Sequence, residues 1–412
     1  MIKDIRIQNY KSIQRLKMNI GRLNVLIGEN GSGKTNVLES IALASAASIN
    51  KLDNEFLSSR GIRVTEPKFM RSAFDNENID KDIHISFTGD EDVSFSCRLQ
   101  NDNKPYSKWK VEYGDFDLSK SNIDVEKLIA SDSKLIQDLI GSINSNEEIV
   151  NRVTEITQEF KDGRILPERL KNALENAIGY SLNKKNIIEK LNLQDFLVYS
   201  PENFSLRVFE KEGQIEPLGI NGEGLFKLLK VLSMENNASK LKILKEKLRF
   251  IDWFKDFEMP EKLSENEKYI RIKDKYLTEE LSCFDQKSSN EGFLFLLFYF
   301  SLFISENTPD FFAIDNIDAS LNPKLCSHMT KELVALGKNY HKQAILTTHN
   351  PAVLDGLNLD DSDQKLFVVY RNKLGYTKIK QILKPKPLEG QEPVKLSEAF
   401  LRGYIGGLPK GF

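Results

Sequence analysis

The segment Gly28-Glu29-Asn30-Gly31-Ser32-Gly33-Lys34-Thr35 satisfies the phosphate-loop pattern G-x-x-x-x-G-K-[S/T] at every constrained position. That pattern has physical meaning only where a strand runs into a helix. Leu23-Asn24-Val25-Leu26-Ile27, a short β-branched and apolar run, reads as a buried parallel strand on one side. On the other side, Asn36-Val37-Leu38-Glu39-Ser40-Ile41-Ala42-Leu43-Ala44 reads as a helix. The glycines let successive backbone N–H groups turn inward around a phosphate, and the helix N-terminus adds the positive end of its dipole. The expectation is a nucleotide site cradled by Gly28, Glu29, Asn30, Gly31, Ser32 and Gly33. Lys34 is expected to reach the β- and γ-phosphates and the Thr35 hydroxyl to ligate Mg²⁺.

With 412 residues, 40% hydrophobic and 29% charged, the chain is long enough for a large core and more than one lobe. A net charge of −2 gives no global sign of a nucleic-acid binder and leaves local basic patches to consider. Cys97, Cys283 and Cys326 are far apart and show no metal-ligand spacing, so they read as buried thiols in a reducing cytosol. Met1-Ile2-Lys3-Asp4-Ile5-Arg6 is already strand-like and has no signal-peptide apolar stretch. The longest apolar run, Phe293 to Ile304, is shorter than the about 20 residues a bilayer requires and reads as a core helix. Together these features predict a cytoplasmic protein with no membrane partner.

Residues 2–8 and 13–20 alternate apolar and polar side chains and predict a hairpin leading into the P-loop strand. Residues 50–80 read as polar and irregular, with strands returning at 83–87 and 93–99. From 121 the pattern turns helical: Ile149, Val150, Val153, Ile156 and Phe160 share one face after a capping signal at Ser145 to Glu148. Similar patterns cover 124–143 and 167–192, and none sustains a coiled-coil heptad. Phe196-Leu197-Val198-Tyr199 predicts another buried strand, and Gly219-Ile220-Asn221-Gly222-Glu223-Gly224 a glycine turn before a helix from Leu225. A helix over 239–254 carries Lys240, Lys242, Lys245, Lys247 and Arg249, as a solvated face or as a patch for nucleic acid or an acidic partner. Beyond Gly292 the order is helix 293–304, strand 311–315, helix 323–339 and strand 343–348. The division expected is 1–120 as the first part of a head, 121–195 as a helical insertion, 196–280 as a connecting segment and 281–412 as the rest of the head.

Phe311-Phe312-Ala313-Ile314-Asp315 is an apolar strand ending in a carboxylate, the feature a Walker B element needs to present an oxygen ligand to Mg²⁺. Asn316-Ile317-Asp318-Ala319-Ser320-Leu321-Asn322-Pro323 follows, then a helix. A second strand, Gln343-Ala344-Ile345-Leu346-Thr347-Thr348, ends in His349-Asn350-Pro351. A parallel neighbour of the Walker B strand would deliver His349 to the γ-phosphate.

This order of P-loop, late Walker B, S-L-N-P loop and T-T-H-N-P switch resembles the ABC-type ATPases of the SMC, RecF and OLD group. The opening Ile7-Gln8-Asn9-Tyr10-Lys11-Ser12 resembles the start typical of that group, which implies Lys11 and Ser12 at the cofactor. Ser200-Pro201-Glu202-Asn203, the glycine turn 219–224 and Arg402-Gly403-Tyr404-Ile405-Gly406-Gly407-Leu408-Pro409 resemble compact AAA-domain ATPases of prokaryotic phage-defence operons, relatives of the PARIS and Septu type. The resemblance implies an α/β ABC/SMC-like P-loop ATPase head, a mixed sheet with flanking helices, carrying an inserted helical lobe. It implies ATP and Mg²⁺ as cofactors, and a homodimer or higher homo-oligomer. It also implies a signature segment, Ser288-Ser289-Asn290-Glu291-Gly292-Phe293, binding the γ-phosphate held by the opposite subunit through Ser289, Asn290 and Gly292. A plain helix cap would explain the same residues.

Two departures from the group follow. The residue after the Walker B Asp is normally a general-base Glu, but here it is Asn316. An amide cannot take the proton, so a contribution of roughly 10²–10⁴-fold is missing, although Asn316 can still orient a water and Asp318 stands two residues on. That predicts slow hydrolysis with ATP as a dimer clamp, and catalytic roles for Lys34, Asn316 and His349. After His349 the sequence is too short for the metal-binding TOPRIM domain of OLD nucleases, and Asp360-Asp361-Ser362-Asp363 reads as a solvated loop. The leading expectation is an ATP-gated homodimer controlling a separate effector in phage defence. The alternatives are a RecF-like DNA-binding repair ATPase and a nearly non-hydrolysing nucleotide-bound scaffold.

Overall fold

The computed structural model describes residues 1–75, 77–104, 106–114, 168–209, 215–234, 238–260, 268–281, 283–384 and 394–408, the side chains of 168–178 excepted. In chain order its strands are β1 (Ile2–Tyr10), β2 (Ile13–Asn19), β3 (Leu23–Ile27), β4 (Ile83–Gly89), β5 (Ser94–Gln100), β6 (Lys110–Tyr113) and β7 (Val198–Tyr199). They continue with β8 (Phe254–Glu258), β9 (Arg271–Asp274), β10 (Cys283–Asp285), β11 (Phe311–Ile314), β12 (Gln343–Thr348), β13 (Gln364–Arg371) and β14 (Thr377–Ile382). An antiparallel sheet has the order β2-β1-β4-β5-β6, a small antiparallel one β10-β9-β8, and the central sheet β14-β13-β3-β12-β11-β7. In the central sheet β13, β3, β12, β11 and β7 run parallel, and β14 adds an antiparallel edge. The P-loop strand β3 lies between β12 and β13, so the residues after Ile27, Ile314, Thr348 and Arg371 emerge along one carboxyl edge.

Both faces of the central sheet are covered. Leu23, Val25 and Ile27 enter a core that contains the helix Glu291–Ile304, while Leu26 enters a second core shared with the antiparallel sheet. This burial on two sides is why the strands read as unbroken apolar runs. The helix Lys34–Ser48 lies in the second core and is buried at every position except Thr35 and Asn36. Its alanines and serines keep it slim enough for close neighbours on all sides. Ser40 and Ser48 satisfy their hydroxyls on the Val37 and Ser45 carbonyls, each at 2.7 Å. Gln343 joins the two layers: its side chain accepts from Ile2 N at 3.0 Å and donates to the Ile2 and Gly21 carbonyls at 2.7 Å.

The hairpin, the strands around 83–99 and the α/β run beyond Gly292 occur where the sequence pattern puts them, with ends moved by a residue or two. Other expectations need correction. The helix read over 239–254 stops at Leu248, because Phe254–Glu258 is claimed as a strand by β9. Three of its lysines are neither a solvated face nor a free patch: Lys240 pairs with Glu306 at 2.8 Å, Lys245 with Asp256 at 3.0 Å, and Lys247 with Glu332. Residues 50–80 include short helices, Asn54–Ser59 and Pro67–Met70. Cys97 and Cys326 are buried, but Cys283 is exposed, because it opens the edge strand of the small sheet. The helical patterns at 124–143 and around Ile149 to Phe160 lie outside the described residues, while the helix Glu168–Lys190 falls on the pattern read over 167–192. No helix among the described residues is long and apolar enough to cross a membrane.

Candidate functional site

The loop Gly28–Thr35 joins β3 to its helix in a conformation that only its glycines can adopt. Gly33 has φ 102° and is so enclosed that a Cβ would lie 2.1 Å from Thr377 Oγ1 and 2.9 Å from Ser12 Oγ. The Lys34 ammonium turns back over the loop, 2.8 Å from the Gly28 carbonyl and 3.1 Å from that of Glu29. It also lies 3.4 Å from His349 Nδ1. Burial pushes the Lys34 pKa down to about 8, against the opposing pull of Asp315, Asp318 and Glu29. The His349 pKa is lowered from its ordinary value first by burial and then by the Lys34 charge, which favours the neutral imidazole.

The Walker B residue stands opposite. Thr35 Oγ1 donates to Asp315 Oδ2 at 2.8 Å, and Thr347 Oγ1 donates to the other carboxylate oxygen. Two hydroxyls and a carboxylate make an oxygen-only donor set, which suits a hard divalent cation such as Mg²⁺. Asn316 follows with φ 55°, a left-handed conformation that Asn tolerates better than most residues, and it is exposed. Its backbone N–H donates to Thr347 Oγ1 at 2.9 Å. Asp318 Oδ1 accepts from Thr348 Oγ1 at 2.7 Å and from the His349 backbone N–H at 3.3 Å.

Other predicted residues sit elsewhere. Ser12 is buried behind the loop, where its hydroxyl lies 2.7 Å from Thr377 Oγ1 and accepts from Asn36 Nδ2 at 2.7 Å. Lys11 donates to Glu39 Oε2 at 2.5 Å and to the Arg63 carbonyl at 2.9 Å. At the signature segment Asn290 Oδ1 caps the helix by accepting from Phe293 N at 2.8 Å. Ser289 is buried and its hydroxyl has no partner among the described residues. Gly292 lies against the Ser320 carbonyl, 3.2 Å from where its Cβ would be. Glu291 ties this helix start to two other loops, accepting from Ser320 Oγ at 2.7 Å and Asn203 Nδ2 at 2.6 Å. The segment at Ser200 and the glycine turn are themselves joined, through Ser200 N to the Ile220 carbonyl at 2.8 Å and Glu202 N to the Asn221 carbonyl at 2.9 Å.

Three residues that brace the loop or the helix after it escaped the sequence reading. Arg371, at the end of β13, donates from Nε to the Gly31 carbonyl at 2.8 Å. Thr377 donates to the Ser32 carbonyl at 2.8 Å. Glu39, fully buried, receives both Lys11 and Arg63, the latter at 2.6 Å. No local signal marks Arg371 or Thr377, which reach the loop from 340 and 345 residues away. Glu39 carries one: a charged residue in an otherwise small and apolar helix.

The parallel sheet with its P-loop, Walker B carboxylate and strand-end histidine on one edge defines the class of P-loop ATPase heads. A family model described as "AAA ATPase domain" matches residues 1–292. The chain belongs to this AAA ATPase domain family. A further AAA-domain model, whose description refers to the AbiEii toxin of a Type IV TA system, matches residues 291–355. An SMC head crystallised with the C-winged helix domain of ScpA aligns at TM-score 0.52 and 13% identity, covering 93% of this chain and 98% of that one, and shows the same fold. A Pyrococcus furiosus Smc head bound to the C-terminal domain of ScpA aligns at TM-score 0.49 and 16% identity, over 93% and 96% of the two chains. Curated relatives match only briefly. The DNA replication and repair protein RecF of an Exiguobacterium species is 49% identical over 47 residues, 11% of this chain and 13% of that protein. RecF of Lysinibacillus sphaericus is 40% identical over 55 residues, 13% and 15% of the two.

Proposed function

We propose that this chain is an ATP-binding, slowly hydrolysing ATPase that dimerises on ATP and gates a separate effector protein in anti-phage defence. The observation that carries the ATPase part is the hydrogen-bonded chain Thr35–Asp315–Thr347, with Lys34 and His349 beside it on the carboxyl edge of one parallel sheet. In this reading Gly28 to Gly33 cradle the phosphates and Lys34 neutralises their charge. Thr35 and Asp315 would hold Mg²⁺, which would screen the phosphate charge. His349 takes the γ-phosphate end, and Asn316 orients water without accepting its proton. Lys11 and Ser12 shape the loop from behind, and the signature segment meets a second copy of the chain at the exposed Asn290, with the buried Ser289 and Gly292 behind it. The head comprises 1–120 and 281–412, linked through 196–280, and 121–195 is the inserted lobe. The defence role is supported by the motif resemblance at Ser200 to Asn203 and Gly219 to Gly224.

Steady-state turnover of the wild type against Asn316→Glu tests the clamp. The expected wild-type rate is low, and the new carboxylate should raise it at least about tenfold and at most by the roughly 10²–10⁴-fold that general-base catalysis contributes. Fast wild-type turnover that the substitution leaves unchanged would sink the slow-hydrolysis reading. The brief identity to RecF favours a second reading, a DNA-binding repair ATPase. DNA-stimulated turnover with a steep salt dependence would select it.

A further inference from the structure

The Walker B turn carries two acidic side chains, and the end of β12 holds both. Thr347 takes Asp315, and the next residue, Thr348, takes Asp318. The backbone is fastened too: Asn316 N donates to Thr347 Oγ1 at 2.9 Å and Ile317 N to the Thr347 carbonyl at 3.0 Å. Between these straps Asn316 is exposed in its left-handed conformation. Asp318 Oδ1 connects the turn to residue 349, by accepting its N–H at 3.3 Å while accepting Thr348 Oγ1 at 2.7 Å. Below this carboxylate the His349 ring lies 3.4 Å from the Lys34 ammonium. On its other side the chain continues to Ser320, which is bonded to Glu291 at the start of the helix Glu291–Ile304.

Resting on the ATPase reading above, we infer that Asp318 is a positioning residue for hydrolysis, fixing the His349 backbone to the Walker B turn. Its work is that of a doubly used hydrogen-bond acceptor and not of a proton acceptor. The backbone anchor sets where the imidazole stands relative to Lys34, and the same side chain keeps the loop toward Ser320 in register with it. Nucleotide binding depends on the P-loop and does not need this anchor. Positioning within about 1 Å, by contrast, can change a chemical step by roughly 10²-fold.

The experiment compares full-length Asp318→Ala and Asp318→Asn with wild type. It measures turnover, the Kd of a fluorescent ATP analogue, and hydrogen exchange of the peptide containing the His349 amide. Asparagine keeps an acceptor oxygen and loses only the charge. The expected result for Asp318→Ala is a fall in kcat of at least about tenfold with Kd within about threefold of wild type, and faster exchange at residue 349. Asp318→Asn should recover most of the turnover and the exchange protection. Equal loss in both variants would mean that the charge itself acts, and would overturn the inference. So would unchanged turnover in Asp318→Ala, or a Kd that weakens in parallel with kcat. Should the alanine variant misfold, the asparagine variant decides alone: near-wild-type turnover with a protected amide is expected, and its loss overturns the inference. Wild-type turnover no greater than that of Lys34→Ala would instead remove the ATPase reading, and this inference with it.

Discussion

The glycines of the P-loop are constrained for different reasons, and substitution separates them. Gly31 has φ 74° with nothing within 4 Å of its would-be Cβ, whereas Gly33 combines φ 102° with contacts at 2.1 and 2.9 Å. Gly31→Ala should therefore cost about 1–2 kcal/mol of backbone strain alone. Gly33→Ala adds about 1–3 kcal/mol of overpacking to the same strain. Urea midpoints of the two variants check the ordering. Lys34 gives a pH prediction with two opposite signs. Its folded pKa of about 8 lies below the ordinary lysine value of 10.5 because burial disfavours the charged form. Between those values the folded chain holds fewer protons than the unfolded one, so this group's contribution to stability rises with pH across that window. Nucleotide affinity moves the other way: loss of the ammonium should weaken Kd by up to about tenfold per pH unit above about 8. Both trends should vanish in Lys34→Met, measured by urea denaturation and by nucleotide titration. The loop itself was legible in the sequence because every constraint on it is local. Ser12 was flagged only through the family resemblance and as a cofactor contact; its place behind the loop, and the roles of Thr377 and Arg371, were not legible, because these residues meet the loop through tertiary pairing.

At the scale of elements, the helix Glu291–Ile304 shows how a capping signal and a functional signature can share residues. Asn290 closes the helix by accepting from Phe293 N, and Glu291 in the first turn favours the positive end of the helix dipole. Asn290→Ala should cost about 1 kcal/mol, and Asn290→Ser should restore nearly all of it, as read from denaturant midpoints. The body of this helix was readable as core because it is apolar on every side, and its thirteen residues from Gly292 to Ile304 are all buried. The basic helix Ala238–Leu248 was not readable in the same way. Composition supplies its lysines, but whether they face solvent depends on Glu306, Asp256 and Glu332, which other elements bring to them. The helix was read on to Phe254 for a related reason: the apolar residues that follow Leu248 suit a helix until β9 supplies the strand pairing that begins at Phe254.

Across the whole molecule, the antiparallel and central sheets enclose the P-loop helix, and Gln343 fastens them at the edge away from the nucleotide loop. Gln343→Ala would leave the buried Ile2 N–H and the Ile2 and Gly21 carbonyls without their partner. The expected loss is about 2–4 kcal/mol, and it should appear as a lowered Tm with the ATP affinity unchanged, since the site lies at the other end of the strands. The sequence by itself determined the P-loop, the Walker B carboxylate and the strand-end histidine, along with the α/β order that carries them. Each of these is a short pattern whose chemistry and periodicity are complete within about ten residues. Only the tertiary structure decided that β3 lies between β12 and β13, which brings Asp315, Lys34 and His349 to one edge. It alone decided that Asn316 turns outward while Asp318 is fastened to the switch strand, and that Arg371 and Thr377 brace the loop. Such facts depend on which strands pair and on which side chains meet across hundreds of residues, and pairing energy leaves no local trace in the chain.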